Sequence, residues 1–153
     1  MKIYLDLCAI QRPLDTPNQV RIVLESEAIL GLITYCDNGQ AELLSSEALI
    51  YESEQSSLSV RKEHTFAVLA KASQVTEVTE NEKKRAAEFL EHGIKPLDAP
   101  HLALAEAGKA DYFCTCDDRL LRNAQKIANL SVKVINPVDL VQEIEKCLQK
   151  QDH

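Results

Sequence analysis

The stretch Ala110-Asp-Tyr-Phe-Cys-Thr115-Cys-Asp117-Asp-Arg-Leu-Leu121 carries the pattern that decides the fold class. Residues 112–116 are mostly apolar and predict a short buried strand, and residues 118–127 have the periodicity of a helix. A strand that leads directly into a helix is the repeating element of βαβ units. Asp117 stands at the junction between the two.

The same alternation of strand and helix continues on both sides of this stretch. Apolar segments predict further strands at 3–5, 41–45, 74–78 and 132–135. Periodicity and capping residues predict helices at 20–35, from 46 onward, and at 59–72, 79–91, 98–108 and 136–148. Residues 11–18 have the composition of a loop. We therefore expect an α/β, Rossmann-type three-layer fold with a central, mostly parallel sheet flanked by helices. We expect one domain at 1–148 and a frayed polar tail at 149–153.

Composition limits the classes of function. A chain of 153 residues with 45% hydrophobic residues suits one globular domain, and its net charge of −7 is unlike that of a protein that merely coats nucleic acid. The odd count of five cysteines argues against a disulfide framework. We find no apolar run of the roughly 18 residues that a membrane helix needs, and the N-terminus is unlike a signal peptide. We expect a cytoplasmic protein without a membrane partner.

Acidic residues fall where an α/β sheet places its ligands, at the carboxyl ends of the strands. Asp6 ends the first predicted strand, Asp117 ends the strand at 112–116, and Asp98 begins a helix after a connection. Glu52 is the candidate on the helix that follows Ser46, and the competing acids for that role are Glu47, Glu25 and Glu27. Gathered carboxylates suit Mg²⁺ or Mn²⁺, which prefer oxygen ligands.

Each of these acids also has a simpler structural interpretation. Asp98 alone is more often a helix N-cap than a ligand, and Asp118 is an equally good cap for its helix. Asp6 has fewer structural uses, because a buried acid needs a partner. Their joint placement at strand ends favours a site.

Four motifs carry a resemblance to a known family. They are Pro96-Leu-Asp98-Ala-Pro-His101-Leu-Ala-Leu-Ala105, the stretch 110–121 quoted above, Tyr4-Leu-Asp6, and Ser46-Glu-Ala-Leu-Ile-Tyr-Glu52. Together they resemble the PIN-domain ribonucleases, a family that includes the VapC-like toxins of toxin–antitoxin pairs. The similarity spans nearly the whole chain, and the two C-terminal motifs are the more specific ones.

The resemblance implies a PIN-like fold and Mg²⁺- or Mn²⁺-dependent hydrolysis of RNA phosphodiester bonds by an endoribonuclease. It implies an antitoxin protein and a homodimer as candidate partners. Carried over residue by residue, it implies catalytic acids at Asp6, Glu52, Asp98 and Asp117, metal ligands at Asp6, Asp98 and Asp117, supporting roles for Thr115 and His101, and phosphate contacts at Arg12, Arg119 and Arg122. His101 as a structural helix residue, and the arginines as solvated charges, are the alternatives.

The sequence also departs from the family, and other functions compete. Family members often have Thr or Ser near the first Asp, whereas this chain has Leu7 and Cys8, which predicts a weakened hydrogen bond to Asp6. A phosphatase of the haloacid-dehalogenase type needs a second Asp two residues after the first, where Cys8 stands. A non-catalytic PIN-fold binding module is a further alternative. Whether Glu52 or Glu47 is the helix acid, and whether the chain is a toxin or an RNA-processing enzyme, stays open at this point.

Overall fold

The computed structural model describes residues 1–151, and their centre is a parallel sheet. Its five strands have the order β3-β2-β1-β4-β5. Every neighbouring pair is parallel, so all five carboxyl ends meet at one edge. The strands are β1 (Lys2–Leu5), β2 (Glu42–Ser46), β3 (Gln74–Thr76), β4 (Tyr112–Cys114) and β5 (Lys133–Ile135).

Helices connect the strands, as the parallel arrangement requires. They are α1 (Leu7–Gln11), α2 (Val20–Asp37), α3 (Glu47–Glu54), α4 (Ser59–Leu69), α5 (Glu80–Glu91), α6 (Ala99–Ala107), α7 (Asp118–Gln125) and α8 (Pro137–Gln151). The predicted α/β fold with a mostly parallel sheet is confirmed. Within residues 1–151 no helix combines the length and the apolar character that crossing a membrane demands.

Some local details differ from the predictions. Leu7–Gln11 form the short helix α1, which was not predicted, and Arg12–Leu14 form a 3-10 turn inside the segment predicted as a loop, 11–18. The strands expected at 74–78 and 112–116 end earlier, at Thr76 and Cys114. Helix α8 extends through residues 149–151 of the expected tail, and the rest of that tail, 152–153, lies outside the described residues.

The core lies around the middle strand. Ile3 and Tyr4 of β1 and Phe113 of β4 are fully buried, as expected for parallel strands that are covered on both faces. Helix α6 reaches this core closely because it ends at Gly108. A Cβ atom at Gly108 would lie only 2.8 Å from the Thr76 hydroxyl, so the absent side chain allows the close approach of α6 to β3.

Candidate active site

Four acids from separate segments of the chain line one cavity at the carboxyl edge of the sheet. The cavity has a volume of about 280 Å³, and its walls include Asp6, Glu52, Asp98 and Asp117 together with Leu7, Cys8, Gln11, Leu97 and His101. Asp6 follows β1 directly, and Asp117 follows β4 by three residues, which is why the two neighbouring strands deliver them to the same place.

Asp6 is buried, and its side chain caps the N-terminus of α1. Its Oδ1 atom accepts hydrogen bonds from the Ala9 backbone N–H at 2.9 Å and from the Cys8 thiol at 3.0 Å. Burial raises the pKa of Asp6 well above its usual range. The neighbouring Cys116 sulfur raises the pKa of Cys8 as well, so Cys8 keeps its proton and can donate it. Cys8 therefore supplies a side-chain hydrogen bond to Asp6 from a thiol, which is a weaker donor than a hydroxyl.

Asp117 begins helix α7 and is its N-cap. One carboxylate oxygen, Oδ1, accepts the backbone N–H groups of Arg119 at 3.0 Å and Leu120 at 3.2 Å. The Thr115 hydroxyl accepts the backbone N–H of Asp117 at 3.1 Å, which fixes the turn before the helix. The alternative interpretation of Asp118 as the cap is wrong. Its carboxylate instead forms a two-pronged ion pair with Arg21, at 2.6 and 2.7 Å.

Asp98 precedes helix α6 but does not cap it through its side chain. Within residues 1–151 its carboxylate takes part in no hydrogen bond or ion pair, although it is partly buried. Burial raises the pKa of Asp98, and the negative charge of Asp117 raises it further. The simple capping interpretation is therefore wrong for this acid. Among the described residues its carboxylate lines the cavity without an ion pair, and the charge of Lys95 only partly offsets the effects that raise its pKa.

The structure places Glu52, and neither Glu47 nor Glu25, on the cavity wall. Glu52 Oε1 lies 2.8 Å from His101 Nε2. Glu47 instead accepts the backbone N–H of Val78 at 3.0 Å, which ties α3 to the segment after β3. Glu25 is buried elsewhere, against Arg12.

Behind Glu52 lie His101, which was predicted as a supporting residue, and two polar residues that were not predicted as part of the site, Tyr4 and Ser46. His101 is 3% exposed, and its Nδ1 atom lies 2.6 Å from the Tyr4 hydroxyl. That hydroxyl lies 2.7 Å from the Ser46 hydroxyl. Burial raises the pKa of Tyr4 well above its usual range. The only signal in the sequence was a Tyr within a buried strand, because a buried phenol needs a hydrogen-bond partner.

The three arginines predicted to contact phosphate differ in their surroundings. Arg12 is committed to structure, because its guanidinium pairs with Asp15 at 3.0 Å and with the buried Glu25 at 2.7 Å. The prediction of a phosphate contact at Arg12 therefore conflicts with its structural pairing. Arg119 and Arg122 are exposed on α7, and neither forms an ion pair within the described part of the chain.

The cavity has oxygen donors but no tight metal cage. Among residues 1–151, no three His, Cys, Asp or Glu side chains are arranged so as to hold a metal ion by themselves. A cation at this place would need water molecules in its coordination shell, which is the habit of Mg²⁺. The carboxylates of Asp98 and Asp117, which repel each other, are the groups that such a cation would neutralise.

The chain is similar in fold to solved structures of protein complexes. A FitAB structure with a bound IR36 DNA fragment has 21% identity and a TM-score of 0.56, and the match covers 89% of this chain and 95% of that one. FitAcB from Neisseria gonorrhoeae has 19% identity and a TM-score of 0.56, with 88% and 97% covered. VapBC2 from Rickettsia felis, bound to a promoter DNA fragment, has 12% identity and a TM-score of 0.59, with 89% and 98% covered.

A comparison with curated proteins gave no match. The family model of the PIN domain, in contrast, matches residues 3–126, which include most of β1, the whole of β2 to β4 and all four acids of the cavity. The chain therefore belongs to the PIN domain family.

Proposed function

We propose that this protein is a Mg²⁺- or Mn²⁺-dependent endoribonuclease that hydrolyses RNA phosphodiester bonds. The observation that carries the proposal is the convergence of Asp6, Glu52, Asp98 and Asp117 on one cavity at the carboxyl edge of the sheet. An open α/β sheet binds its ligands at this edge. Membership of the PIN family and the resemblance to PIN-domain ribonucleases support the same chemistry.

The donors fit a hard divalent cation. Asp6, Asp98 and Asp117 offer only carboxylate oxygens, and within residues 1–151 the carboxylate of the partly buried Asp98 forms no ion pair. We assign these three acids as ligands, either directly or through water. When bound, such a cation lowers the pKa of a coordinated water and stabilises negative charge on a phosphoryl oxygen.

The remaining residues would position these groups and the substrate. The Ala9 N–H and the Cys8 thiol fix the orientation of Asp6, and the first turn of α7 fixes that of Asp117. Glu52 is the candidate for orienting the attacking water and accepting its proton. Arg119, exposed beside Asp117, is the favoured contact for a substrate phosphate, and Arg122 is one turn further along α7.

Metal removal tests this proposal directly. We expect the purified chain to cleave a fluorescently labelled single-stranded RNA in Mg²⁺ or Mn²⁺, to lose that activity in EDTA, and to regain it when excess metal is restored. Calorimetry should show cation binding that Asp6→Asn weakens. Full cleavage in EDTA would contradict the metal mechanism, and cation binding without any cleavage would favour the non-catalytic binding module.

We further propose that the protein is a toxin of the VapC type, acting in the cytoplasm with an antitoxin protein as partner and forming a homodimer. The resemblance to VapC-like toxins and the fold similarity to VapBC2 support this role. The expected result is growth arrest when the chain is expressed in bacteria, relieved by co-expression of a small protein encoded next to it. Unimpaired growth with active, soluble protein would instead favour an RNA-processing enzyme.

A further inference from the structure

A continuous line of hydrogen bonds runs from the buried core to Glu52. It begins at Ser46, where the backbone N–H of Leu49 donates to the side-chain oxygen at 3.2 Å. It continues through the Tyr4 hydroxyl to His101 and ends at Glu52, over contacts of 2.7, 2.6 and 2.8 Å. We call Ser46, Tyr4, His101 and Glu52 the relay.

The protons of the relay can be assigned by counting donors and acceptors. Since a carboxylate only accepts hydrogen bonds, the Nε2 atom of His101 must carry a proton and donate it to Glu52. If His101 were doubly protonated, Nδ1 would donate to the Tyr4 oxygen. Either the Tyr4 or the Ser46 hydroxyl would then lack an acceptor among the described residues.

A neutral His101 leaves no such defect. Ser46 then donates to Tyr4, Tyr4 donates to Nδ1 of His101, and Nε2 donates to Glu52, so every proton has an acceptor. A buried hydroxyl without a hydrogen-bond acceptor destabilises the fold, which favours this arrangement. The phenol keeps its proton at neutral pH, because its ordinary pKa is about 10.

The relay connects three elements of the fold beside the site, and it begins at the N-cap of helix α3 and ends on that helix. Ser46 caps the N-terminus of α3, and Glu52 lies on the same helix, whereas Tyr4 lies on β1 and His101 on α6. The ring of Tyr4 is held in turn by stacking on Phe113, with centroids 5.2 Å apart. The hydrogen bond between His101 and Glu52 thus joins helices α3 and α6 beside the cavity, in the first turn of α6 after Asp98.

We propose that His101 is a positioning residue for the nuclease reaction, and that Tyr4 and Ser46 lock it in the Nε2–H tautomer so that it orients Glu52. The catalytic consequence of this inference rests on the proposed function. The tautomer of His101 does not depend on that function. Partners that fix the tautomer and aim of a functional side chain commonly contribute about tenfold to a hundredfold to activity.

The tautomer is tested by nitrogen NMR of the full chain labelled with ¹⁵N-histidine. We expect His101 to show a protonated Nε2 and an unprotonated Nδ1, with its signals assigned by their absence in His101→Gln. Tyr4→Phe keeps the ring stacked on Phe113 but removes the hydroxyl, so it should shift the signals toward a mixture of tautomers. A doubly protonated His101, or one protonated only on Nδ1, in the unmodified chain would overturn the proposal.

The catalytic consequence is tested by kinetics in Mg²⁺. We expect Tyr4→Phe to lower kcat for RNA cleavage by about tenfold to a hundredfold with KM unchanged. The matched control is Tyr112→Phe, which removes a phenol of β4 that lies outside the cavity wall. His101→Gln, whose amide can still donate toward Glu52, should retain more activity than His101→Asn.

Two outcomes separate this inference from the proposed function. Equal kcat values for Tyr4→Phe and Tyr112→Phe would overturn the positioning role, even if the unmodified chain is an active nuclease. A chain that cleaves no RNA under any condition would contradict the proposed function, and the NMR result would then still decide whether the relay exists.

Discussion

Replacing Asp98 by Asn is expected to remove RNA cleavage almost completely, with a loss of kcat/KM of about a thousandfold or more. The carboxylate lines the cavity without a hydrogen-bond or ion-pair partner from residues 1–151. The positive charge of a bound cation would therefore be balanced mainly by this side chain and its neighbouring acids. The loss of a metal-binding charge costs several kcal/mol of transition-state stabilisation, and about 4 kcal/mol corresponds to roughly a thousandfold.

The same substitution should stabilise the metal-free fold. Burial and the charge of Asp117 raise the pKa of Asp98, so the folded state binds the proton of this carboxyl more readily than the unfolded state. The resulting cost to stability is absent below the ordinary carboxyl pKa and develops as pH rises through the folded value. An uncharged Asn avoids the cost at neutral pH. Each 1 kcal/mol recovered would raise Tm by about 2–4 °C.

The measurements are RNA cleavage in Mg²⁺ and thermal melting in EDTA, both compared with Asp139→Asn. Asp139 is an exposed acid in the first turn of α8 and is remote from the cavity wall. The control should keep full activity and an unchanged Tm. Retained activity in Asp98→Asn would refute the assigned site, and a lower Tm at neutral pH with an unchanged Tm at acid pH would refute the account of the electrostatics.

Much of the fold was predictable because buried parallel strands are short apolar runs and the longer helices have clear caps. The Thr79 and Glu82 capping box, for example, marks the start of α5 as predicted. Helix α1 was missed because its five residues are too few for periodicity to show. It forms because Asp6 caps it, and that role becomes visible only when the end of β1 is known.

The acids of the candidate site could be proposed from strand ends, but their individual tasks could not. Asp117 and Asp118 are adjacent, and only the backbone conformation decides which of them caps α7. The contact between Tyr4 and His101 joins residues 97 positions apart, and no local pattern specifies it. Arg12 likewise resembled a free cation until its long-range partner was known.

That partner, Glu25, is the hub of a buried polar cluster beside α2. Its side chain is 1% exposed, and Oε1 accepts Nη2 of Arg12 at 2.7 Å. Arg21 approaches the same oxygen at 3.4 Å, and the Asn136 amide donates to Oε2 at 2.6 Å. The cluster joins the turn after α1, helix α2 and the end of β5. Loss of this cluster should therefore lower the stability of the fold at the sheet edge and leave the rate of the reaction nearly unchanged.

Replacing Glu25 by Gln is expected to destabilise the fold by about 2–3 kcal/mol, which lowers Tm by roughly 4–12 °C. The amide is uncharged, and its N–H₂ group must face the donor of either Arg12 or Asn136, while its carbonyl oxygen accepts from the other. Arg12 keeps its pair with Asp15, and Arg21 keeps its pair with Asp118. The matched control is Glu27→Gln on the exposed side of α2, which should change Tm by less than about 1 °C.

Cleavage assays on the same two variants well below their melting points separate structure from chemistry. Glu25 was a competitor of Glu52 in the sequence, and the cavity wall contains Glu52 alone of the two. We therefore expect Glu25→Gln to keep activity within a few-fold of the unmodified chain while it melts earlier. An unchanged Tm combined with a thousandfold loss of cleavage would reverse that assignment, because a purely structural acid cannot abolish the reaction without weakening the fold.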